Sequence, residues 1–223
     1  MLDSQAIWVF LHVVLFVYWL GADITVFYSS LQIIKQENSI ETRLAIFKIL
    51  NFVNWFPAIS SILMLPVGIM LAVGQNLILI PTILIIFMWI GIGIWLFFSV
   101  CSNTQRGTKI GTIYSNIDLV LRIMIIVFLL LVASVSLWHS DLIQSSWLIL
   151  KIYLFSYVLV CGLGIRFTFA SFGIAFSRLI KEGTSPEIEQ AIKRPVIMVK
   201  PWVLALWGGL FLMALIGISQ PQI

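Results

Sequence analysis

The sequence predicts an all-α fold, a polytopic membrane helix bundle of six transmembrane helices with both termini outside. Three observations carry that prediction. Of the 223 residues 61% are hydrophobic and only 10% charged, with a mean hydropathy of +1.10, whereas soluble domains are roughly a quarter charged. The apolar residues gather into runs long enough to cross hydrocarbon, which takes about 20 helical residues for a ~30 Å core. The basic residues gather between alternate runs. A chain of this length accommodates six such helices with short connections and leaves no room for a soluble domain, so residues 1–223 are expected to form a single transmembrane helical domain.

The runs cover about 5–33, 48–74, 77–100, 116–138, 145–178 and 197–218. The first has no Lys or Arg before it and no small-residue cleavage site after it, so it is expected to persist as a helix and not to be removed as a signal peptide. "NSIE" at 38–41 resembles a capping box, with Asn38 receiving backbone amides and Glu41 reaching back, so the second helix is expected to begin before the hydrocarbon. Pro57, Pro66 and Pro81 predict kinks, which membrane helices tolerate when neighbours satisfy the freed carbonyls. The fourth run opens with "NIDLVLRI". In the fifth, "CGLGIRFTFASFGIA" at 161–175 spaces small residues so that a neighbouring backbone can approach closely. "TSPEIEQAIKRP" at 184–195 has Thr184 or Ser185 as cap, Pro186 in the first turn, acids early and bases late. It predicts a short cytoplasmic surface helix near 185–194, a connector first and a docking place for a regulatory partner second.

Ten of the thirteen Lys and Arg residues fall in three connections: Lys35, Arg43 and Lys48; Arg106 and Lys109; and Arg178, Lys181, Lys193, Arg194 and Lys200. "GQN" at 74–76 and "HSDLIQSS" at 139–146 carry none. The positive-inside bias makes the basic side cytoplasmic and turns both termini outward, the arrangement of a multi-pass protein of a bacterial inner membrane with the lipid bilayer as its main partner. The net charge of +4 is spread over short loops without a basic block interleaved with aromatics, which excludes nucleic-acid binding. Cys101 and Cys161 have no metal-ligand spacing and read as small buried residues. No nucleophile–base pair, phosphate loop or acid pair at usable spacing points to hydrolytic catalysis.

Charges in hydrocarbon cost several kcal/mol each, so those present are expected to be paired and to face the bundle interior. His12 and Asp23 lie eleven residues apart in the first run, about 16 Å along the axis, and with Trp19 they share one helix face. Asp118 and Arg122 at i,i+4 are neighbours on the fourth helix. Arg166 falls at a similar inner depth, so an inner cluster of Asp23, Asp118, Arg122 and Arg166 is expected, with Arg166 neutralising Asp23. Its balance of two acids and two bases suits a lock between helices, with a proton relay or anion site as the alternative. Lys151 reads as an interfacial anchor that snorkels to the headgroups. His12 sits in the outer half with His139 on the same side, and imidazole is the commonest ligand for metals and haem. Both histidines around one iron would hold haem b between the first and fourth helices, although His139 is some 10 Å shallower by simple counting. Met64 or Met70 is the thioether alternative to His139, and the same His and Met residues would suit copper.

"LHVVLFVYWLGAD" is similar to the first helix of the copper-resistance D type and the protoporphyrinogen oxidase J type of bacterial membrane proteins, in which a histidine precedes a Trp-x-Gly step. "VNWFPAISSILMLPVGIMLA" at 53–72, "NIDLVLRI" at 116–123 and "WLILKIYLFSYVLVCGLGIRF" at 147–167 resemble an uncharacterised bacterial family of small integral membrane proteins in that neighbourhood. The J-type resemblance implies a haem at His12; the copper-resistance resemblance implies copper uptake. The chain departs from both in lacking a second-helix histidine. Asn54 and Ala58 stand where the fourth helix has Asp118 and Arg122, an offset of 64 residues that reads as a worn internal repeat. Three functions follow: a haem-binding redox protein passing electrons to a partner at the outer face, an accessory subunit of a larger membrane complex, and a copper or small-solute transporter.

Overall fold

A computed structural model describes residues 4–138 and 143–221. Every element among them is helical: α1 (Ser4–Ile33), α2 (Ile40–Val53), α3 (Trp55–Gly74), α4 (Thr82–Thr104), α5 (Lys109–Trp138), α6 (Ser146–Phe169), α7 (Phe172–Glu182) and α8 (Pro186–Ser219). Six stretches are long and apolar enough to cross a membrane, with α2 and α3 forming one and α6 and α7 another. The long helices pack in chain order, α1 on α3, α3 on α4, α4 on α5, α5 on α6 and α6 on α8, and α8 returns to α1 to close a ring. Large apolar side chains such as Phe10, Phe87, Phe128 and Phe211 face outward around it. In a single chain that surface calls for lipid, and the fold is that of a multi-pass membrane protein.

The central core is built from Trp19 and Leu20 of α1, Met64 of α3, Ile126 and Leu129 of α5, Phe155, Val158 and Leu159 of α6, and Leu206, Leu210 and Met213 of α8. The α6–α8 seam is the most intimate. Gly164 admits the Trp202 indole where a Cβ would collide with it, and a Cβ on Gly209 would lie 2.6 Å from the Val158 side chain. The small residues anticipated at 161–175 thus serve packing at Gly164, whereas Gly162 faces open space.

Three local expectations are corrected at the end of the bundle that carries the basic connections, called here the basic end. The cap of α2 is Ser39, whose hydroxyl accepts from the Thr42 amide at 3.3 Å, while Asn38 donates its side-chain amide to the Gln32 carbonyl. No separate helix occupies 185–194. Ser185 caps α8, which runs without a break through Pro195 and Pro201. Proline removes one backbone donor, but Ile188, Ile192, Val196, Val199 and Val203 make one continuous buried stripe across it. Tertiary packing overrides the local stop signal. The amphipathic helix instead precedes that stretch: the fifth run breaks at Ala170–Ser171, and α7 buries Phe172, Ala175, Phe176 and Leu179 while exposing Arg178, Lys181 and Glu182. Gly183, at φ +80°, supplies the left-handed residue that turns the chain from α7 into α8.

Candidate functional site

Polar side chains inside the ring form four groups. The first centres on Asp118, 5% exposed, at the α4–α5–α6 seams. Trp95 donates its indole N–H to Oδ1 at 2.9 Å; Arg122 Nε and Arg166 Nη1 donate to Oδ2 at 3.1 and 2.7 Å. Arg166 also donates to the carbonyl and the hydroxyl of Ser115, and the Arg122 guanidinium lies 5.3 Å from the Trp95 ring centroid, a cation–π contact. Asp118, Arg122 and Arg166 therefore come together, and Trp95 and Ser115 complete the set.

Asp23 does not join them. It sits on the α1–α8 seam, where Trp207 donates its indole N–H to Oδ2 at 2.8 Å, and it has no ion pair among the described residues. The expected Asp23–Arg166 bridge is replaced because α6 and α1 lie on different seams of the ring: Arg166 faces α5 and Asp23 faces α8. Depth along the axis is readable from residue counting, but position around a ring is not.

The third group is a buried bidentate pair. Arg43, 1% exposed, donates Nη1 and Nη2 to the two carboxylate oxygens of Glu189 at 2.7 and 2.9 Å, and Nε to the Ile33 carbonyl at 2.6 Å. One guanidinium thus ties the end of α1, the start of α2 and the start of α8. Sequence reasoning counted Arg43 as a loop charge and Glu189 as an early-turn acid; nothing in the local pattern announces a pair 146 residues apart.

His12 is the exception among the four. Its ring packs over Gly68 of α3, where a Cβ would lie 3.4 Å from Cε1. Nδ1 is buried and makes no hydrogen bond, and no other hydrogen bond to the ring occurs among the described residues. Met64 lies one turn from Gly68 on the same face of α3, buried in the core cluster that also holds Trp19. Met70 lies about 200° round the helix from Gly68 and so leaves that seam. Trp19 is 3% exposed and meets Phe155 edge-on, with centroids 6.1 Å apart, as a core residue. His139 and Asp141 lie outside the described residues. Lys151 points its amine at Gly217 near the far end of α8, where a Cβ would lie 2.5 Å from it.

Among the described residues no group of three or more His, Cys, Asp or Glu side chains could hold a metal ion. Cys101 and Cys161 are free thiols, Cys161 buried in the central core. The chain matches no family model, curated protein or solved structure. Among the described residues, fold and site together define a multi-pass membrane protein with the Asp118 cluster and the Arg43–Glu189 pair toward its basic end and, in the opposite half, the His12 imidazole with an unbonded Nδ1.

Proposed function

We propose that the chain is a bacterial inner-membrane protein that holds haem b through His12 and takes part in electron transfer near the outer face. The observation that carries this reading is the buried, unbonded Nδ1 of His12. A polar atom kept dry without a partner costs about 1–3 kcal/mol, and an orphan of this kind calls for a water, an ion or a ligand. An imidazole and a thioether are donors that would suit a haem iron. Gly68 gives the ring room against α3, and Met64 on the same seam offers a thioether as a second ligand in place of His139. When bound, a haem supplies reversible one-electron chemistry. His12 would orient and hold it, and the apolar side chains of the α1–α3 seam would exclude water. The outward placement of both termini follows from the basic end being cytoplasmic.

The pairing of an imidazole with a thioether on one seam also favours a second reading, a copper(I) site in a transport or copper-handling protein, because reduced copper takes soft ligands. One preparation separates the two. Protein purified in mild detergent from cells supplied with haem is expected to show a Soret band that sharpens and shifts on dithionite addition, and to lose it in His12→Ala. A colourless sample that retains copper, with the metal lost in Met64→Leu, supports the second reading. A sample with neither overturns both and leaves the accessory-subunit role.

A further inference from the structure

At the basic end a cleft of about 1030 Å³ opens between the α1–α2 connection and the first turns of α8. One wall is the stretch from Ile34 to Glu37. The other is a face of α8 on which Glu189, Lys193, Arg194 and Ile197 recur at helical spacing. Both walls are fixed. Asn38 donates its side-chain amide to the Gln32 carbonyl at 2.9 Å, Arg43 Nε donates to the Ile33 carbonyl, and the Arg43 guanidinium grips Glu189 in the floor.

The acids of this cleft are already matched, and two of its bases are not. Glu189 gives both carboxylate oxygens to Arg43, and Glu37 lies 3.8 Å from the Lys35 amine. Glu187 is not part of the wall. Lys193 and Arg194 are exposed and have no ion-pair or hydrogen-bond partner among the described residues. Arg43 cancels Glu189 and Lys35 cancels Glu37, so Lys193 and Arg194 leave the cleft with two uncompensated positive charges.

The same cleft turns apolar toward the spanning part of α8. Ile197, 55% exposed, lies one turn beyond Lys193, and Ile34 faces it from the other wall. Arg194 also borders a neighbouring groove of about 540 Å³ together with Phe167 and Met198, both of which are exposed on the outer apolar surface. The depth suits a membrane headgroup. α8 is 34 residues long, about 51 Å at 1.5 Å per residue, so about 14 residues project past a ~30 Å hydrocarbon core. Counted back from Ser219, that core ends near Lys200, and Ile197, Arg194 and Lys193 follow within about 10 Å, from where long basic side chains reach the phosphate level.

We propose that this cleft binds the headgroup of an anionic phospholipid, with Lys193 and Arg194 on its phosphate and Ile34 and Ile197 against the start of its chains. The guanidinium offers a fork to the phosphate oxygens and the ammonium a point charge, and the lipid supplies the negative charge that the lining lacks. Basic clefts between membrane helices recognise anionic headgroups in this way. Glu189 does not repel the ligand, because Arg43 holds its carboxylate neutralised from behind. The site lies at the end opposite His12 and stands whether or not a haem is bound.

Thermal unfolding of the full chain in an uncharged detergent tests the site. Phosphatidylglycerol, phosphatidylcholine and inorganic phosphate are titrated separately into wild type, the double variant Lys193→Gln with Arg194→Gln, and a control double variant, Lys109→Gln with Lys200→Gln. The control removes the same charge from exposed positions outside the cleft. None of the four side chains makes an internal bond, so both variants keep the fold. Saturable stabilisation by phosphatidylglycerol is expected, with its half-effect mole fraction raised tenfold or more in the cleft variant, about 1.4 kcal/mol per tenfold, and unchanged in the control. Ile197→Ser is expected to weaken the phosphatidylglycerol response several-fold. Equal responses of the two double variants, equal saturation by phosphatidylcholine, or no saturable response to phosphatidylglycerol overturn the proposal. Inorganic phosphate that reproduces the saturation and the variant dependence overturns the lipid as occupant and makes the cleft a site for the free ion.

Discussion

The two halves of the bundle treat buried polarity in opposite ways. Toward the basic end the three most deeply buried charges, Arg43, Asp118 and Glu189, are hydrogen-bonded and paired. Arg43 spends three donor nitrogens on Glu189 and Ile33, and Asp118 receives three donors from three side chains. In the opposite half the buried Nδ1 of His12 receives nothing. Buried ion pairs contribute modestly when made and cost heavily when half broken, so the saturated groups behave as registration pins between helices. An unsatisfied ring pins nothing, and it is the place to which the proposed function assigns a ligand.

The contrast can be broken most severely at Glu189. Glu189→Ala strands a guanidinium that is 1% exposed and is expected to lower stability by about 3–5 kcal/mol. The joint replacement Arg43→Met with Glu189→Leu removes the stranded charge and should recover most of that loss, as measured by unfolding in mixed micelles. A double variant as weak as the single one would mean that the pair does more than cancel charge. A smaller effect is expected at the seam between the first and last long helices. Trp207→Phe deprives Asp23 of its hydrogen-bond donor and should cost about 1–3 kcal/mol in the same assay. The smallest change carries the opposite sign. In cofactor-free protein His12→Leu fills the same space without a dry nitrogen and is expected to stabilise by about 1 kcal/mol. Destabilisation there would place His12 among the pins and remove the contrast.

Much of this was readable from the chain. The six spanning stretches follow from apolar run length, and the i,i+4 spacing of Asp118 and Arg122 made that contact accessible to counting. Other features turned on information that helical periodicity does not contain. Asp23 and Arg166 sit at matching depths on helices that face different neighbours, so a prediction made from depth alone paired them wrongly. Pro195 looked like a stop because its local cost is visible in sequence, whereas the stripe from Ile188 to Val203 that overrides it matters only once α6 and α7 are in place. Nothing in the sequence sets Trp95 and Trp207 apart from the other tryptophans; only the assembled ring brings each indole N–H against a carboxylate. Gly68 was one glycine among fourteen until the imidazole lay across it.

The ring closes between its first and last long helices, and that order governs how the protein must be made. Arg43 leaves the ribosome 146 residues before the carboxylate that completes it. Throughout insertion of the intervening four spans the guanidinium waits in water or among headgroups, and α1 can be fastened to α8 only after the last helix has been delivered. Truncation between Arg43 and Glu189 therefore yields an open arc with an unmatched cation.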